Sequence, residues 1–468
     1  MRTLVKIGVL LSAALVGCSA GRICYRLPDD PECALTIQDA KINNVSLVDA
    51  MIKELSKRDT HTLIAHITGG PDTAAPLSLR IVQTGMPPVE LNYSGGIEPD
   101  YIYKALISPE IAKKFRTGDA RVEISDPKIQ GPSTSYPVKW TLPIIPYSSV
   151  AEISLANQSA AANADIEHVG MAGGILYALG TGTTSTKPSK KVHKYEFTAI
   201  SPAFVGLTDS NLSNAILTDR QPLLLSVAGQ NAYLSHNLDM QTSGVSWYPV
   251  QKQPLVFPND VHPLNFTLPT DTQAMLVTGD ASRMIVADGQ GALSWGALPG
   301  PVGTWQQVGG TGSGVRLAVT DMNFDGKDDL LAVWVSTGRP KAAVYLATAA
   351  GFTPADEVFS AQLTNALGTE PITALAAGDV DRDGYGDVVV ARGTQLILLQ
   401  SQLNRFEAFL LTSVEPAGGG GTKIDAIALG RLDATRPDSA QLDIVTASNT
   451  GYGMMGNTMY LHAFRPMP

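Results

Sequence analysis

The chain has 468 residues and a formal net charge of −9, with 44% hydrophobic and only 16% charged residues. That balance excludes a disordered chain or a coiled coil. It also argues against a nucleic-acid binder, because neutralising phosphates needs a basic surface. At roughly 100–200 residues per domain, the length suits two to four domains, or one large repeat domain with a smaller one. The 44 glycines and 30 prolines suit many short strands joined by turns, and three cysteines exclude a disulfide scaffold.

Residues 1–17 read MRTLVKIGVLLSAALVG. Arg2 and Lys6 make a basic start, and residues 9–16 form an apolar run too short to span a bilayer. The segment Leu15-Val16-Gly17-Cys18 resembles a bacterial lipobox. The resemblance implies cleavage after residue 17 and lipidation of Cys18, with Ser19 pointing to the outer membrane. An ordinary secretory signal with an incidental cysteine is the plainer alternative. No later stretch approaches the roughly 18 apolar residues that a spanning helix needs. Within residues 18–33, Cys24 and Cys33 flank YRLPDDPE. In an oxidising compartment they are expected to close a small disulfide loop; half a metal site is the weaker alternative.

Residues 34–145 form one compositional unit. Alternating apolar patterns predict strands at 62–67, 77–82, 89–93, 101–107, 120–124 and 136–142, separated by Gly, Pro and Asp clusters. Two helical stretches are predicted. Ser46 with Asp49 makes a capping-box-like start to residues 47–57. Pro109 follows Ser108 at a first helical position. The run ISPEIAKKFRTGDARVEISDP, a polar GPST loop and SYPVKWTLP resemble the closing strands of bacterial Ig-like domains of the IPT/TIG kind. The resemblance implies an Ig-like β-sandwich; another small sandwich is the bland reading. Residues 146–164 read as a linker, or as a strand entering the next domain.

Beyond residue 165 the sequence repeats itself. RLAVTDMNFDGKDDLLAV (316–333) parallels ALAAGDVDRDGYGDVVVA (374–391): an apolar strand, an Asp-rich turn and a second apolar strand. Third strands follow at 343–347 and 396–400. Fainter copies start at 276, 427 and 205, and residues 168–179 suggest a sixth. Strand repeats at this spacing are the signature of propeller blades, predicting six blades, with seven possible.

The strongest chemical motif is D-x-[DN]-x-D-G-x-x-D, present twice. One copy is Asp321, Asn323, Asp325, Gly326 and Asp329; the other is Asp379, Asp381, Asp383, Gly384 and Asp387. Alternate residues of a tight loop can aim oxygens at one point, as a hard cation such as calcium requires. The backbone carbonyls of Lys327 and Tyr385 can add another oxygen each, and the last Asp is expected to close each cage. Clustered carboxylates themselves call for a cation. An EF-hand would need Glu at position twelve, where Ala332 and Val390 stand. The motif resembles instead the FG-GAP/VCBS repeats of integrin alpha-subunit heads and bacterial surface proteins. That resemblance spans residues 165–468 and implies a calcium-bearing β-propeller.

Other candidates are weaker. The turn at Asp280 is too short for a cage. Asp433, Asp438 and Asp443 have the wrong spacing, and Asp209, Asn211 and Ser213 lack the Gly and final Asp. His61 and His66, five apart on a strand, face opposite sides. The basic run 187–194 reads as a solvated loop rather than an anion site, and the Gly-rich runs 309–314 and 418–421 as blade loops. No GxSxG, HExxH, paired CxxC or Walker loop is present.

These readings combine into an all-β lipoprotein of the bacterial cell envelope, anchored in the membrane and binding calcium. It is expected to engage a protein or glycan partner, not nucleic acid, and to act by binding rather than catalysis. The alternatives are a polysaccharide-acting enzyme with its site on a propeller face, and an envelope assembly scaffold.

Overall fold

The computed structural model describes residues 36–48, 52–57, 59–68, 78–95, 101–112, 114–115, 118–125, 134–141, 146–154, 165–182, 189–198, 203–206, 222–237, 243–250, 262–298, 305–401, 405–413, 423–433, 441–449 and 459–466. The lipobox, all three cysteines, Asp209, Asn211, Ser213, Asp438 and the run 418–421 lie outside these residues. The chain divides into two compact units, residues 1–143 and 144–468.

The first unit contains β1 (Thr36–Ile42), β2 (Val45–Ser46), β3 (Lys53–Ser56), β4 (His61–Thr68), β5 (Ser78–Val82), β6 (Val89–Glu90), β7 (Tyr93–Gly95), β8 (Tyr101–Ile107), β9 (Gly118–Ser125) and β10 (Thr134–Thr141). They make two five-stranded sheets, ordered β2-β1-β4-β8-β7 and β3-β10-β9-β5-β6. The sequence TSYPVKWT explains β10 by alternation: Tyr136, Val138 and Trp140 are buried, while Pro137 and Lys139 are exposed. Both sheets contribute to one core, including Ile42, Leu63 and Ala105 from one and Leu55, Val122 and Trp140 from the other. The short helix α1 (Pro109–Ala112) starts where Pro109 predicts it.

Two expectations fail here. Residues 53–56, predicted helical, form β3, paired parallel to β10 with Leu55 opposite Trp140. Leu55 is buried and Glu54 is exposed, so pairing with a formed sheet overrides the local capping signal. The single strand predicted at 89–93 is two strands in different sheets, with buried Leu91 at the crossing between them.

The described residues of the second unit form six four-stranded sheets. The first holds β12 (Asp165–Ala172), β13 (Ile175–Gly182), β14 (Ser189–Thr198) and β15 (Ala203–Gly206). The second holds β16 (Pro222–Ala228), β17 (Asn231–Asn237), β18 (Ser243–Pro249) and β19 (His262–Thr267). The third holds β20 (Thr272–Val277), β21 (Arg283–Asp288), β22 (Ala292–Ala297) and β23 (Gln306–Gly310). The fourth holds β24 (Arg316–Thr320), β25 (Asp329–Ser336), β26 (Arg339–Thr348) and β27 (Gly351–Pro354). The fifth holds β28 (Ala374–Gly378), β29 (Asp387–Arg392), β30 (Gln395–Ser401) and β31 (Phe406–Ser413). The sixth joins β32 (Lys423–Gly430), β33 (Asp443–Asn449) and β34 (Met459–Pro466) to β11 (Tyr147–Ser154).

First strands of successive sheets lie against one another, and β32 lies against β12, so the contacts run in a cycle. Each successive pair of sheets shares an apolar cluster, as does the sixth with the first. This explains why β29 (DVVVAR) and β30 (QLILLQS) are near-continuous apolar runs: both faces are covered by neighbouring sheets.

Three further readings change. Of the two readings of residues 146–164, the strand entering the next domain holds for 147–154, which are β11, paired with β34 from Tyr147↔Pro466 to Ser154↔Tyr460, and the linker does not. The faint copy starting at 205 straddles two sheets: β15 ends the first and β16 opens the second. The part of the basic run from 189 onward lies in β14, where Lys194 is buried among strands and not a solvated loop residue.

The sequence also hides a helix, α2 (Glu357–Leu367), between the fourth and fifth sheets. The Asp356 side chain caps it by accepting from the Val358 N–H at 2.9 Å. Phe359, Leu363 and Leu367, four apart, bury one face. Gly368, at φ 69°, ends it, its N–H donating to the Asn365 carbonyl.

Candidate metal centre

Each Asp loop joins the first and second strands of its sheet: β24 to β25 in the fourth, β28 to β29 in the fifth. The two backbones repeat one another. Phe324 and Arg382, the fourth residue of each motif, share φ 63°. Gly326 and Gly384, the sixth, have φ 80° and 94°, a region that favours glycine. Side chains fold back on their own loop. Asp321 Oδ1 accepts from the Asp325 N–H at 3.0 Å, and Asp321 Oδ2 from the Gly326 N–H at 2.7 Å. In the second loop Asp379 Oδ2 accepts from the Gly384 N–H at 3.1 Å, and Asp381 Oδ1 from the Asp383 N–H at 3.0 Å.

The last Asp of each motif does more than face its loop. Asp329 accepts from the Met322 N–H at 3.0 Å and the Ala347 N–H at 2.7 Å. Asp387 accepts from the Val380 N–H at 3.0 Å and the Ser401 N–H at 2.9 Å. Each ties the start of its loop to the end of the third strand. Both are fully buried.

The loops differ in how their carboxylates gather. Among the described residues, one group of three carboxylates, Asp379, Asp381 and Asp387, brings an oxygen of each within 4.8 Å of the others. Two oxygens held 2.3–2.6 Å from one hard divalent ion stand at most about 5 Å apart, so this trio can hold a metal ion. Asp383 is buried beside it, its Oδ1 accepting from the Tyr385 N–H at 2.9 Å. The Gln400 side chain donates to Asp381 Oδ2. In the first loop Asn323 stands where the second loop has the carboxylate of Asp381. Asp325 and Lys327 are exposed there, and Lys327 Nζ lies 3.3 Å from Asp325 Oδ2. The structure thus assembles the second predicted cage more tightly than the first.

Electrostatics follow burial. Burial pushes Asp387 well above the usual carboxylate range, and Asp381, Asp383 and Asp379 push it further. Burial raises Asp329 to about 6, against the pull of its two backbone hydrogen bonds. Burial, then Asp383 and Asp321, pushes the Tyr385 phenol up to about 12. A cation among these groups would favour the charged carboxylates and relieve their mutual repulsion.

The loops are linked across sheets. The residue just before the second strand reaches the preceding sheet's loop in three successive cases. Asp328 Oδ2 accepts from the Gly279 N–H, the Gly386 N–H donates to the Asp321 carbonyl at 2.7 Å, and the Leu442 N–H donates to the Val380 carbonyl at 3.1 Å. A cavity of about 930 Å³ lies between the first strands, with Asp321, Asp379 and Arg382 on its lining.

Sequence reasoning set Asp443 aside for its cage spacing and missed its role as a tie. Its Oδ2 accepts from the Leu432 N–H at 2.8 Å, the role Asp329 and Asp387 play in their own sheets. Its place at the start of β33 is the available signal; the long, irregular turn before it hides the match. Asp280 instead makes a local turn, accepting from Thr278 and Ser282. His61 bonds Asn43 and the Ser56 carbonyl, while His66 is half-buried on the other face of β4, so they do not converge.

Comparison with known proteins gives a family match over the two loops. The model for the FG-GAP-like repeat matches residues 321–390, from the first Asp of the first motif to the strand after the second. No curated protein matches the chain. Among solved structures, a protein of unknown function from Dyadobacter fermentans DSM 18053 is 12% identical, covering 69% of this chain and 100% of its own, with a TM-score of 0.41.

Proposed function

We propose that residues 144–468 are a six-bladed, calcium-binding β-propeller of FG-GAP type that serves as an interaction module. The observation that carries the calcium reading is the convergence of Asp379, Asp381 and Asp387 within a loop that the FG-GAP-like repeat covers. The donors are all oxygens, which suits a hard cation over softer metals, and calcium accepts a more varied geometry than the small octahedron that magnesium demands. Asp379, Asp381, Asp383, Asp387 and the Tyr385 carbonyl would hold the tighter ion, and Asp321, Asn323, Asp325, Asp329 and the Lys327 carbonyl the weaker. Bound there, calcium supplies charge neutralisation and ties first strand to second. Six sheets with first strands in a cycle, closed by β11 on β34, support the propeller.

The first unit, with two sheets around one core, is read as an Ig-like sandwich. The chain is read as a lipoprotein anchored through Cys18, held in the bacterial cell envelope at the outer membrane, with Cys24 and Cys33 joined. It acts by binding a protein or glycan rather than by catalysis.

Calorimetry of the folded chain tests the ion. Two calcium equivalents are expected, with magnesium much weaker; Asp383→Ala removes one and Asp325→Ala the other. Chelator should lower the melting temperature, because an ion that binds only the folded form at a hundredfold excess over Kd adds about 2.7 kcal/mol. Calcium-independent melting with no heat of binding would leave the loops as turns.

A further inference from the structure

Phe324 is a large apolar side chain left 45% exposed, on a residue held at φ 63°, where non-glycine residues are uncommon. The neighbouring loop gives a reason for the ring. The Phe324 ring lies 5.4 Å from that of Tyr385, centroid to centroid, and a Cβ on Gly384 would come within 2.3 Å of it. A Cβ on Gly386 would likewise come within 2.3 Å of Thr320. Two residues later in the first loop's partner, the Gly386 N–H donates to the Asp321 carbonyl. The segment Gly384-Tyr385-Gly386 is therefore covered by the first loop, and its two glycines leave the space that the cover needs. This is the stretch whose carbonyl at Tyr385 would face the second ion.

We propose that Phe324 is a positioning residue for the second loop, and that through it and Asp321 the two loops bind their ions cooperatively. The inference rests on the calcium reading. Asp321 has both a side chain placed to serve the first ion and a carbonyl that anchors the second loop. Fixing Asp321 in place by filling the first loop pre-forms the second. Coupling of this kind is reciprocal: each ion strengthens the other by the same factor.

Calorimetric calcium titration of the full chain tests this. Phe324→Ala removes no proposed ligand atom, although the Phe324 ring packs on that of Tyr385. It should weaken the site that Asp383→Ala removes by about fivefold or more, within the usual range of coupling between sites. Phe324→Tyr, which keeps the ring, should restore the affinity. Asp325→Ala should weaken the second site by the same factor as Asp383→Ala weakens the first. The melting temperature in chelator guards against global damage and should match the parent for Phe324→Ala; if it does not, the Phe324→Leu variant carries the same comparison. Two calcium equivalents of equal affinity in the parent and in Phe324→Ala, with the site left in each Asp variant as tight as in the parent, would overturn the coupling alone. A parent chain that takes up no calcium would overturn the calcium reading, and the coupling with it.

Discussion

Arg465 Nε donates to Asp443 Oδ1 at 3.2 Å, and the Asp443 carboxylate is fully buried. Asp443 opens β33 as Asp329 opens β25 and Asp387 opens β29. In those sheets the second carboxylate oxygen accepts from a third-strand N–H; in the sixth, a guanidinium takes that place. The sixth sheet thus carries its own fixed cation where its neighbours have Asp loops. The same guanidinium lies 5.1 Å from the Phe197 ring centroid, linking the sixth sheet to the first.

Removing this cation leaves a buried charge uncompensated. Arg465→Gln should lower stability by about 3 kcal/mol, read from urea denaturation at neutral pH. Asp443→Asn added to it should recover a substantial part. A single variant as stable as the parent would show that Asp443 gains nothing from the pair.

An ion in the first loop would compete with Lys327 for Asp325, whose Oδ2 lies 3.3 Å from the ammonium. Lys327→Met should therefore raise calcium affinity at the first loop by a few-fold and leave the second loop's own ligands untouched. The gain should shrink at high salt, because both partners are exposed and screened. Equal affinities in parent and variant, at low salt, would show that the ammonium does not oppose the ion.

The buried Asp residues set a pH dependence in the absence of cation. Asp329 moves from 3.8 to about 6 on folding, so the folded state holds this proton more tightly than the unfolded one. Its contribution to stability is complete below 3.8 and is lost as pH rises through about 6. Asp387 shifts in the same direction. In chelator, stability should fall between about pH 4 and pH 7 by up to about 3 kcal/mol from Asp329. Asp329→Asn should flatten that slope, and saturating calcium should reverse it by favouring the ionised forms. Identical slopes for parent and Asp329→Asn in chelator would count against the raised carboxyl.

The strand Tyr147–Ser154 sets where the second unit begins. It pairs with β34, Ala151 is buried in the cluster shared with the first sheet, and the Tyr147 hydroxyl donates to the Leu442 carbonyl at 2.9 Å. A fragment starting at residue 144 should melt in one cooperative transition. One starting at 165 should melt lower and self-associate through the bared edge of β34. Size-exclusion chromatography and thermal melts of the two fragments decide this; equal behaviour would make 147–154 dispensable.

The Asp loops and the strands around them are legible in the sequence because their signals are local. The glycine at position six, the alternating oxygens and the apolar runs all lie within about twenty residues. The rest is decided by distant partners. β3 looks helical until β10 supplies a parallel neighbour. β11 reads equally as a linker or an entering strand because its partner β34 lies about 310 residues further along the sequence. The difference between the two loops follows from the exposure of Asp325 and from Gln400 reaching Asp381, neither written in the motif. Helix α2 alone was open to a local reading: Asp356, the Phe359-Leu363-Leu367 spacing and Gly368 are a complete start, face and stop.

The pairing of Tyr147 with Pro466 also bears on how the protein is made. The strand that finishes the sixth sheet leaves the ribosome first among the second unit's strands, and its partner leaves last. Throughout synthesis, β11 has no edge to join and the first sheet has no sixth sheet to cover its free face. Five sheets can stack as they emerge, but the set cannot be locked until β34 has been made. Such distant pairing is slow to form and leaves apolar faces open meanwhile. A chain stopped before β34 would stay in that unfinished state, with β11 unpaired and an apolar face of the first sheet uncovered for the cell's proteases and chaperones to meet.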